Sequence, residues 1–475
     1  MDTPTTRQKA LALNLDGRTY GAFAEIGGGQ EVARAFFAAG GAAGTLAKSI
    51  SAYDMAVSDS LYGAAKRYVS RERLEAMLAL EFSQLLSQLG EKRGETKCFF
   101  AFANTVATRR FGSDENGRGW LGVRFQAHPH EEPSEILIHA HLLDRDAAHE
   151  QEALGALGVN LIYGTFFMRD APERLIASLV DELGRDRVEI DMVKLSGPAF
   201  ARVDNRLMSL QLVELGFTDA AMFTARGDVL QPSEVLYKKA ILVERGSFRP
   251  ATNLTLDLLQ RAMELFASDP AVRERGAPVV LAEMTLRSLT EGAGVAHEDF
   301  LARADILRAL GFDVLISRFE LYYQLAEYLA GYTDGPIGLA VGLPAIRLLS
   351  DESFYRNLAG GFLEAAGRLF KRSLKMYVYP ERDPVTGLVH SWDSVQLPAP
   401  WQHLHKLLTD LGYVVPIRSF DESYLTIRTP EVLALIEKDD PSWERMVPPK
   451  VAEIIKAEQL FRRRHDQQAG DREQA

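Results

Sequence analysis

Gly246-Ser247-Phe248-Arg249-Pro250-Ala251-Thr252-Asn253-Leu254-Thr255 lies between two stretches of opposite character. Before it, Ala240-Ile241-Leu242-Val243 is a short apolar run that reads as a buried strand. After it, residues 256–266 read as a helix, because Leu254, Leu258, Ala262, Leu265 and Phe266 fall on one face at helical spacing. Thr252 or Asn253 offers a side-chain oxygen to the free backbone N–H groups at the start of that helix. The sequence therefore predicts a strand, a glycine turn, a proline-stiffened loop and a capped helix. That order aims backbone amides and the positive end of a helix at one spot, where a phosphate is favoured.

The same residues resemble the first signature of the nicotinamide and nicotinate mononucleotide adenylyltransferases, Gly-x-Phe-x-Pro-x-(His/Thr)-x-x-His followed by Leu. Gly246, Phe248, Pro250, Thr252 and Leu256 match it, and Thr255 stands where the family has its second His. The resemblance implies a Rossmann-like nucleotidyltransferase domain that uses ATP with Mg2+. Ser247, Thr252 and Thr255 would then donate hydrogen bonds to phosphate, Arg249 or Arg318 would supply positive charge, and Gly246, Phe248 and Asn253 would shape the nucleotide site. Such chemistry works by positioning and charge stabilisation and needs no protein nucleophile. Thr255 is a departure from the pattern: a hydroxyl carries no positive charge, and losing one electrostatic donor costs on the order of a hundred- to a thousandfold in rate. The family's later signature, Ile-Ser-Ser-Thr-x-x-Arg, is present only in its opening, at Ile316-Ser317-Arg318. Over its whole length the chain is similar to a bacterial group of cytosolic proteins labelled either nicotinate-nucleotide adenylyltransferase or TonB-dependent receptor. The first label implies a place in NAD biosynthesis. The second conflicts with a sequence that shows neither an export signal nor a barrel pattern.

The chain has 475 residues, enough for several domains at roughly 100–200 residues each. Its 47% hydrophobic and 25% charged content is that of a soluble globular protein. A net charge of −11 argues against broad nucleic-acid or anionic-membrane surfaces, and no apolar run is long enough to cross a bilayer. Cys98 is the single cysteine, so neither an intramolecular disulfide nor a thiolate cluster can form. It precedes Phe99-Phe100-Ala101-Phe102 and reads as a buried strand thiol in a cytoplasmic protein. A small nucleotide is the expected partner, with neither nucleic acid nor membrane, and self-association into a homo-oligomer is left open.

The N-terminal half alternates strand and helix patterns, which signals βαβ units and parallel sheets. A strand over 20–26, Gly27-Gly28-Gly29 and a helix over 30–39 form another candidate phosphate cradle. The following Gly40-Gly41-Ala42-Ala43-Gly44-Thr45 lacks the Gly-Lys-Ser/Thr ending of a Walker loop, and its glycines read as helix packing. His139 and His141 share a face of a strand over 136–143, with His128 and His130 nearby in sequence. With no carboxylate clearly placed beside them, they read as polar-face or hydrogen-bonded histidines, and no metal is expected. Asp191, Asp204 and Asn205 end a strand or open a helix, where open α/β sheets bind ligands and where Asp and Asn also cap loops.

The expected architecture is thus α/β, with at least two domains and mainly parallel sheets, and a C-terminal half of Rossmann-like nucleotidyltransferase type. Residues 1–235 form an α/β region of unassigned role with a break near 150. Residues 236–445 form the nucleotidyltransferase-like domain, and 446–475 a terminal helix and polar tail. The alternative is a protein that binds a nucleotide or metabolite on a degenerate fold without turnover.

Overall fold

A computed structural model describes residues 3–461 apart from 111, 113–114, 292–293, 372–373 and 398, and the polar tail expected from Gln467 lies outside the described residues. The chain forms two compact units, Met1–Ala221 and Met222–Ala475. Among the described residues no helix is long and apolar enough to cross a membrane.

The first unit is built on a six-stranded sheet with β1 (Thr19–Gly27), β2 (Leu46–Ala52), β3 (Cys98–Ala107), β4 (Gly117–Phe125), β5 (Ser134–Leu142) and β6 (Val188–Ser196) in the order β2-β1-β3-β4-β5-β6. Its helices are α1 (Thr6–Leu15), α2 (Glu31–Ala39), α3 (Met55–Tyr62), α4 (Arg71–Arg93), α5 (Ala147–Phe167), α6 (Pro172–Ser178) and α7 (Asn205–Glu214). Side-chain alternation sorts the two faces. Phe23, Phe100, Phe102, Leu121 and Val123 point to the side covered by α2 and α5, where they share one core with Val32, Phe36, Leu154 and Leu157. Ala22, Ala24, Ala101, Ala103 and Gly122 point the other way, towards α4. These residues are small enough for α4 to sit close: a Cβ on Gly122 would lie 2.9 Å from Leu78 of α4.

The expectation of mainly parallel sheets fails in this unit. β1 pairs in parallel with β2 and β3, but β3–β4, β4–β5 and β5–β6 are antiparallel. For β3–β4 and β4–β5 the physical reason is connection length: among the described residues neither link contains a helix, and a parallel return needs a crossover of about a dozen residues or more, whereas β5 and β6 pair antiparallel across α5 and α6.

The second unit carries an eight-stranded sheet, ordered β18-β15-β14-β9-β10-β13-β7-β8. In chain order its strands are β7 (Ala220–Phe223), β8 (Val229–Leu230), β9 (Ile241–Arg245), β10 (Val279–Thr285), β13 (Asp313–Ser317), β14 (Ile337–Gly342), β15 (Leu374–Tyr379) and β18 (Val414–Pro416). Two small hairpins, β11–β12 (Thr290–Glu291, Gly294–Val295) and β16–β17 (Glu381–Arg382, Val389–His390), stand apart from it. The pairs β9–β10, β10–β13, β9–β14, β14–β15 and β15–β18 are all parallel. The chain lays down β10 and β13 on one side of β9, then crosses to lay down β14, β15 and β18 on the other. β9 is thus the strand at which the order reverses. A short helix, α8 (Pro232–Leu236), precedes β9, and α9 (Asn253–Ser268) follows it. α9 buries Leu258, Leu259, Ala262 and Phe266 with Leu242 of β9 and Tyr377 of β15. Residues 424–428, which read as a strand, instead finish a short 3-10 helix, Glu422–Thr426, and lead into the next helix, Thr429–Glu437; the Asp421 cap of the first accepts from the Ser423 amide. That local side-chain acceptor competes with strand pairing.

Candidate functional site at the turn after β9

The quoted decapeptide leaves the C-terminal end of β9 and enters α9, as its pattern predicts. Thr252 is the cap: its Oγ1 accepts from the Thr255 amide at 3.3 Å, and the Thr255 Oγ1 accepts from the Thr252 amide at 3.3 Å. The two hydroxyls lie 3.2 Å apart. This reciprocal capping box satisfies amides that would otherwise have no partner within the helix. The hydroxyl of Thr255, read from sequence as a phosphate donor, is therefore also a structural acceptor.

The rest of the loop is held from several directions. The Gly246 amide donates to the Glu283 carbonyl at 3.1 Å. Ser247 is exposed, and its carbonyl accepts from Arg303 Nη1 at 3.2 Å. Phe248 adopts a left-handed backbone with φ 49° and buries its ring beside Gly246. Arg249, joined to Pro250 by a cis peptide bond, pairs with Asp299 at 2.7 Å. Arg303 pairs with the same Asp299. Asn253 donates to the Arg445 carbonyl at 2.9 Å, which ties the start of α9 to the 3-10 segment Pro441–Met446. Arg318 is exposed just beyond β13 and makes no ion pair among the described residues.

Beneath the turn lie charged residues that the sequence reading passed over. Arg245 makes a two-pronged pair with Glu283, with both distances at 2.8 Å. Its guanidinium lies 4.6 Å from the centre of the Tyr322 ring. Ser317 donates to Glu283 Oε1 at 2.6 Å. Register alone places these three together: Arg245 is opposite Glu283, and Thr285, two residues further along β10, is opposite Ser317. Glu244 is buried between Ala282 and Ala340 of the flanking strands, and its Oε2 has no partner among the described residues. Burial pushes that carboxyl well above the usual carboxylate range. The arrangement offers a buried carboxyl, a fixed guanidinium and a helix N-terminus at one end of the sheet.

The other glycine-rich turn has a different occupant. Glu25 of β1 turns its carboxylate onto the start of α2, accepting from Ala33 N at 2.9 Å, Val32 N at 3.4 Å and Asn104 Nδ2 at 3.0 Å. The protein's own carboxyl group thus fills the place that a phosphate would take. The glycines here serve close approach: a Cβ on Gly29 would lie 2.6 Å from Asn104 Oδ1, and one on Gly28 2.5 Å from Thr108 Cγ2. Burial raises Glu25 to about 7, opposed by the bonds from Ala33, Asn104 and Val32. The folded state then holds a proton that the unfolded state has released between pH about 4.5 and about 7, so stability falls as pH rises through that window. The full effect is on the order of 3 kcal/mol. Chemical denaturation at pH 5 and pH 8 should show this loss in the wild type, and Glu25→Gln should remove most of the difference.

Three further sequence candidates separate in space. Asp204 caps α7, accepting from the Arg206 amide at 2.9 Å and pairing with the Arg206 guanidinium. Asn205 bonds both the amide and the carbonyl of Leu195. Asp204 is thus a local cap, and Asn205 ties the start of α7 to β6. Asp191 instead joins His139 and His141. Its Oδ1 lies 2.6 Å from His139 Nδ1, and its Oδ2 lies 3.1 Å from His141 Nε2. The sequence reading placed no carboxylate beside this histidine pair, and the structure corrects that. The pairing of β5 with β6 slips between His139 and Ala140, which face Met192 and Ile190, so Asp191 is the extra residue of a bulge. The alternation Glu189-Ile190-Asp191 was the available sequence signal, but no pattern within one strand reports the register of its neighbour. His128 and His130 lie outside the cluster, with His130 bonded to Glu95 at 3.0 Å. Cys98 opens β3 as expected but is half-buried rather than fully buried. It contacts the Ala127 carbonyl at 3.6 Å, and burial pushes its thiol up.

No family model matches the chain, and no curated protein matches it. Three solved structures are similar to part of it. A competence/damage inducible protein, CihA, from Agrobacterium tumefaciens is 15% identical, with 34% of this chain and 96% of that one covered and a TM-score of 0.26. A competence-damaged protein (CinA) superfamily protein from Enterobacter cloacae is 13% identical, with 35% and 95% covered and a TM-score of 0.26. A competence or damage-inducible protein from Enterobacter asburiae is 13% identical, with 34% and 99% covered and a TM-score of 0.25. At these values the likeness carries no functional assignment.

Proposed function

We propose that the second unit is a Rossmann-like, nucleotidyltransferase-type domain that holds a nucleoside triphosphate with Mg2+ over the Gly246 turn and the start of α9. Adenylyl transfer to a mononucleotide such as nicotinate mononucleotide is the reaction this reading implies, in the service of NAD biosynthesis. The observation that carries the reading is the reversal of strand order at β9. Open parallel sheets bind ligands in the crevice outside the carboxyl ends of their strands, at the point of reversal, and the signature-like residues leave the sheet at that point. Ser247 is exposed there and Arg318 follows β13, two strands across the sheet from β9, so a hydroxyl and a guanidinium are available to phosphate. Mg2+ would bridge phosphate oxygens and neutralise charge developing on them. The chain's own part is to orient the triphosphate and keep its charge matched.

One observation favours a second reading, nucleotide binding without turnover. The hydroxyls of Thr252 and Thr255 are each engaged in the capping box, Asn253 is tied to Arg445, and Arg249 to Asp299. The donors expected to stabilise a transition state are therefore partly committed to the fold.

Purified protein incubated with ATP, Mg2+ and nicotinate or nicotinamide mononucleotide separates the readings. Pyrophosphate release supports transfer. An ATP-dependent rise in melting temperature without release supports binding alone, and neither response removes both. If turnover is slow, Thr255→His is expected to raise it on the order of a hundredfold, by returning an electrostatic donor to that position.

A further inference from the structure

We propose that His139, His141 and Asp191 form a binding site for one divalent transition-metal ion, of the zinc, cobalt or iron(II) type. This site lies in the first unit and does not depend on the nucleotide reading above. One ligand atom from each residue lies within 4.8 Å of the others, and among the described residues this is the cluster with that geometry. Ligands held about 2.0–2.2 Å from a tetrahedral ion stand roughly 3.3 Å apart. The two histidine nitrogens approach different oxygens of Asp191, at 2.6 and 3.1 Å, and the full ligand set spans at most 4.8 Å, so ring and carboxylate rotation of about an ångström admits an ion.

The fold builds this set. His139 and His141 alternate on β5, so both rings lie on one face of the sheet. The β6 bulge then turns Asp191 between them. Trp120, opposite His139 on β4, packs its ring 4.9 Å from the His139 ring, and the His139 and His141 rings meet edge to face at 5.0 Å. The side chains of Asp191 and His139 are 1% and 3% exposed, whereas His141 is 22% exposed. The site is therefore anchored on the inside and reachable from the His141 side. A buried carboxylate needs compensating charge, and a coordinated cation supplies it. Two imidazole nitrogens and one carboxylate oxygen leave coordination positions for water or an anionic or carbonyl ligand. Glu189 stands opposite His141 but is held by the Thr218 hydroxyl at 2.6 Å, so it is not counted as a ligand. Nitrogen donors select zinc, cobalt or iron over magnesium or calcium, which prefer oxygen.

The test uses the full chain, free of any histidine tag and stripped with a chelator. Co2+ and Zn2+ are titrated in turn, with stoichiometry read by elemental analysis after desalting and the cobalt site read by its visible absorption. One ion per chain is expected, with Co2+ bands that Zn2+ abolishes and excess Mg2+ leaves in place. His141→Gln should weaken binding by about a hundredfold or more, beyond the tenfold to hundredfold cost of losing an outer partner of a ligand. Asp191→Asn should do the same, and melting curves report whether it folds. His141 is the most exposed of the three, so its variant carries the test if Asp191→Asn does not fold. His149→Gln, at an exposed histidine outside the cluster, should bind as the wild type does. Failure of the wild type to retain an ion, displacement of Co2+ by Mg2+, or unchanged affinity in His141→Gln would each overturn the proposal.

Discussion

Glu283→Ala is expected to destabilise the protein by roughly 3–5 kcal/mol, the cost of stranding a buried charge. Glu283 is 0% exposed and receives Arg245 through both of its oxygens, with Ser317 as a third donor. The Arg245 side chain is 13% exposed, and its remaining partners are the Glu320 carbonyl at 3.2 Å and the Tyr322 ring. Neither cancels a full charge. Burial opposes the charge on Arg245 while Glu283 sustains it, and the guanidinium ends above its ordinary pKa. In the variant that support is gone, but the intrinsic basicity of a guanidinium keeps it charged, so it must draw in water or displace the loop. Removing both charges in Arg245→Met/Glu283→Leu is expected to cost much less than Glu283→Ala, because no orphan charge remains. Urea denaturation of the single and double variants checks both values. A double variant no better than Glu283→Ala would show that shape, not charge, governs this position.

Asp181→Ala is expected to destabilise the first unit by roughly 3 kcal/mol. Its partner Lys9 is fully buried on α1, 2.6 Å from Asp181 Oδ2 and 2.7 Å from Asn160 Oδ1. Asn160 in turn donates to the carbonyls of Leu179 and Asp181, so one network joins α1, α5 and the turn after α6. Removing Asp181 leaves an ammonium with an amide oxygen and the Tyr163 ring at 5.5 Å. Lys9→Met keeps the stem and removes the charge, and it should cost less than Asp181→Ala. Thermal unfolding of the two variants side by side reads the difference. Equal losses would mean that Lys9 matters for its bulk alone.

These two networks mark what the sequence does and does not disclose. Hydrophobic alternation finds β3, β5, β10, β14 and β15 because each is apolar on both faces or strictly alternating. The helix at His297–Leu310 is read to its ends because Gly311 adopts the left-handed stop that its type favours. The turn from β9 into α9 is legible because glycine, proline and threonine each have a specific backbone role there. Lys9, Glu25, Glu244 and Glu283 are not legible as interior groups. Within one strand or helix nothing distinguishes a charged side chain facing water from one facing a partner a hundred residues away. Antiparallel pairing in the first unit was missed for a related reason: βα alternation elsewhere in the chain does not report on a run of three strands joined by short loops. Asp191 shows the limit most clearly, since its place between two histidines depends on a bulge that only the pairing with β5 reveals.

Equilibrium titration of Mg·ATP into the full chain, repeated with Ser247→Asp, bears most directly on the role given to the turn after β9. Ser247 is exposed, so the new carboxylate leaves the core intact and places negative charge beside the start of α9. Saturable binding by the wild type, weakened about tenfold or more in the variant by charge repulsion, is the predicted result. No binding by the wild type, or equal affinity in both proteins, would contradict it.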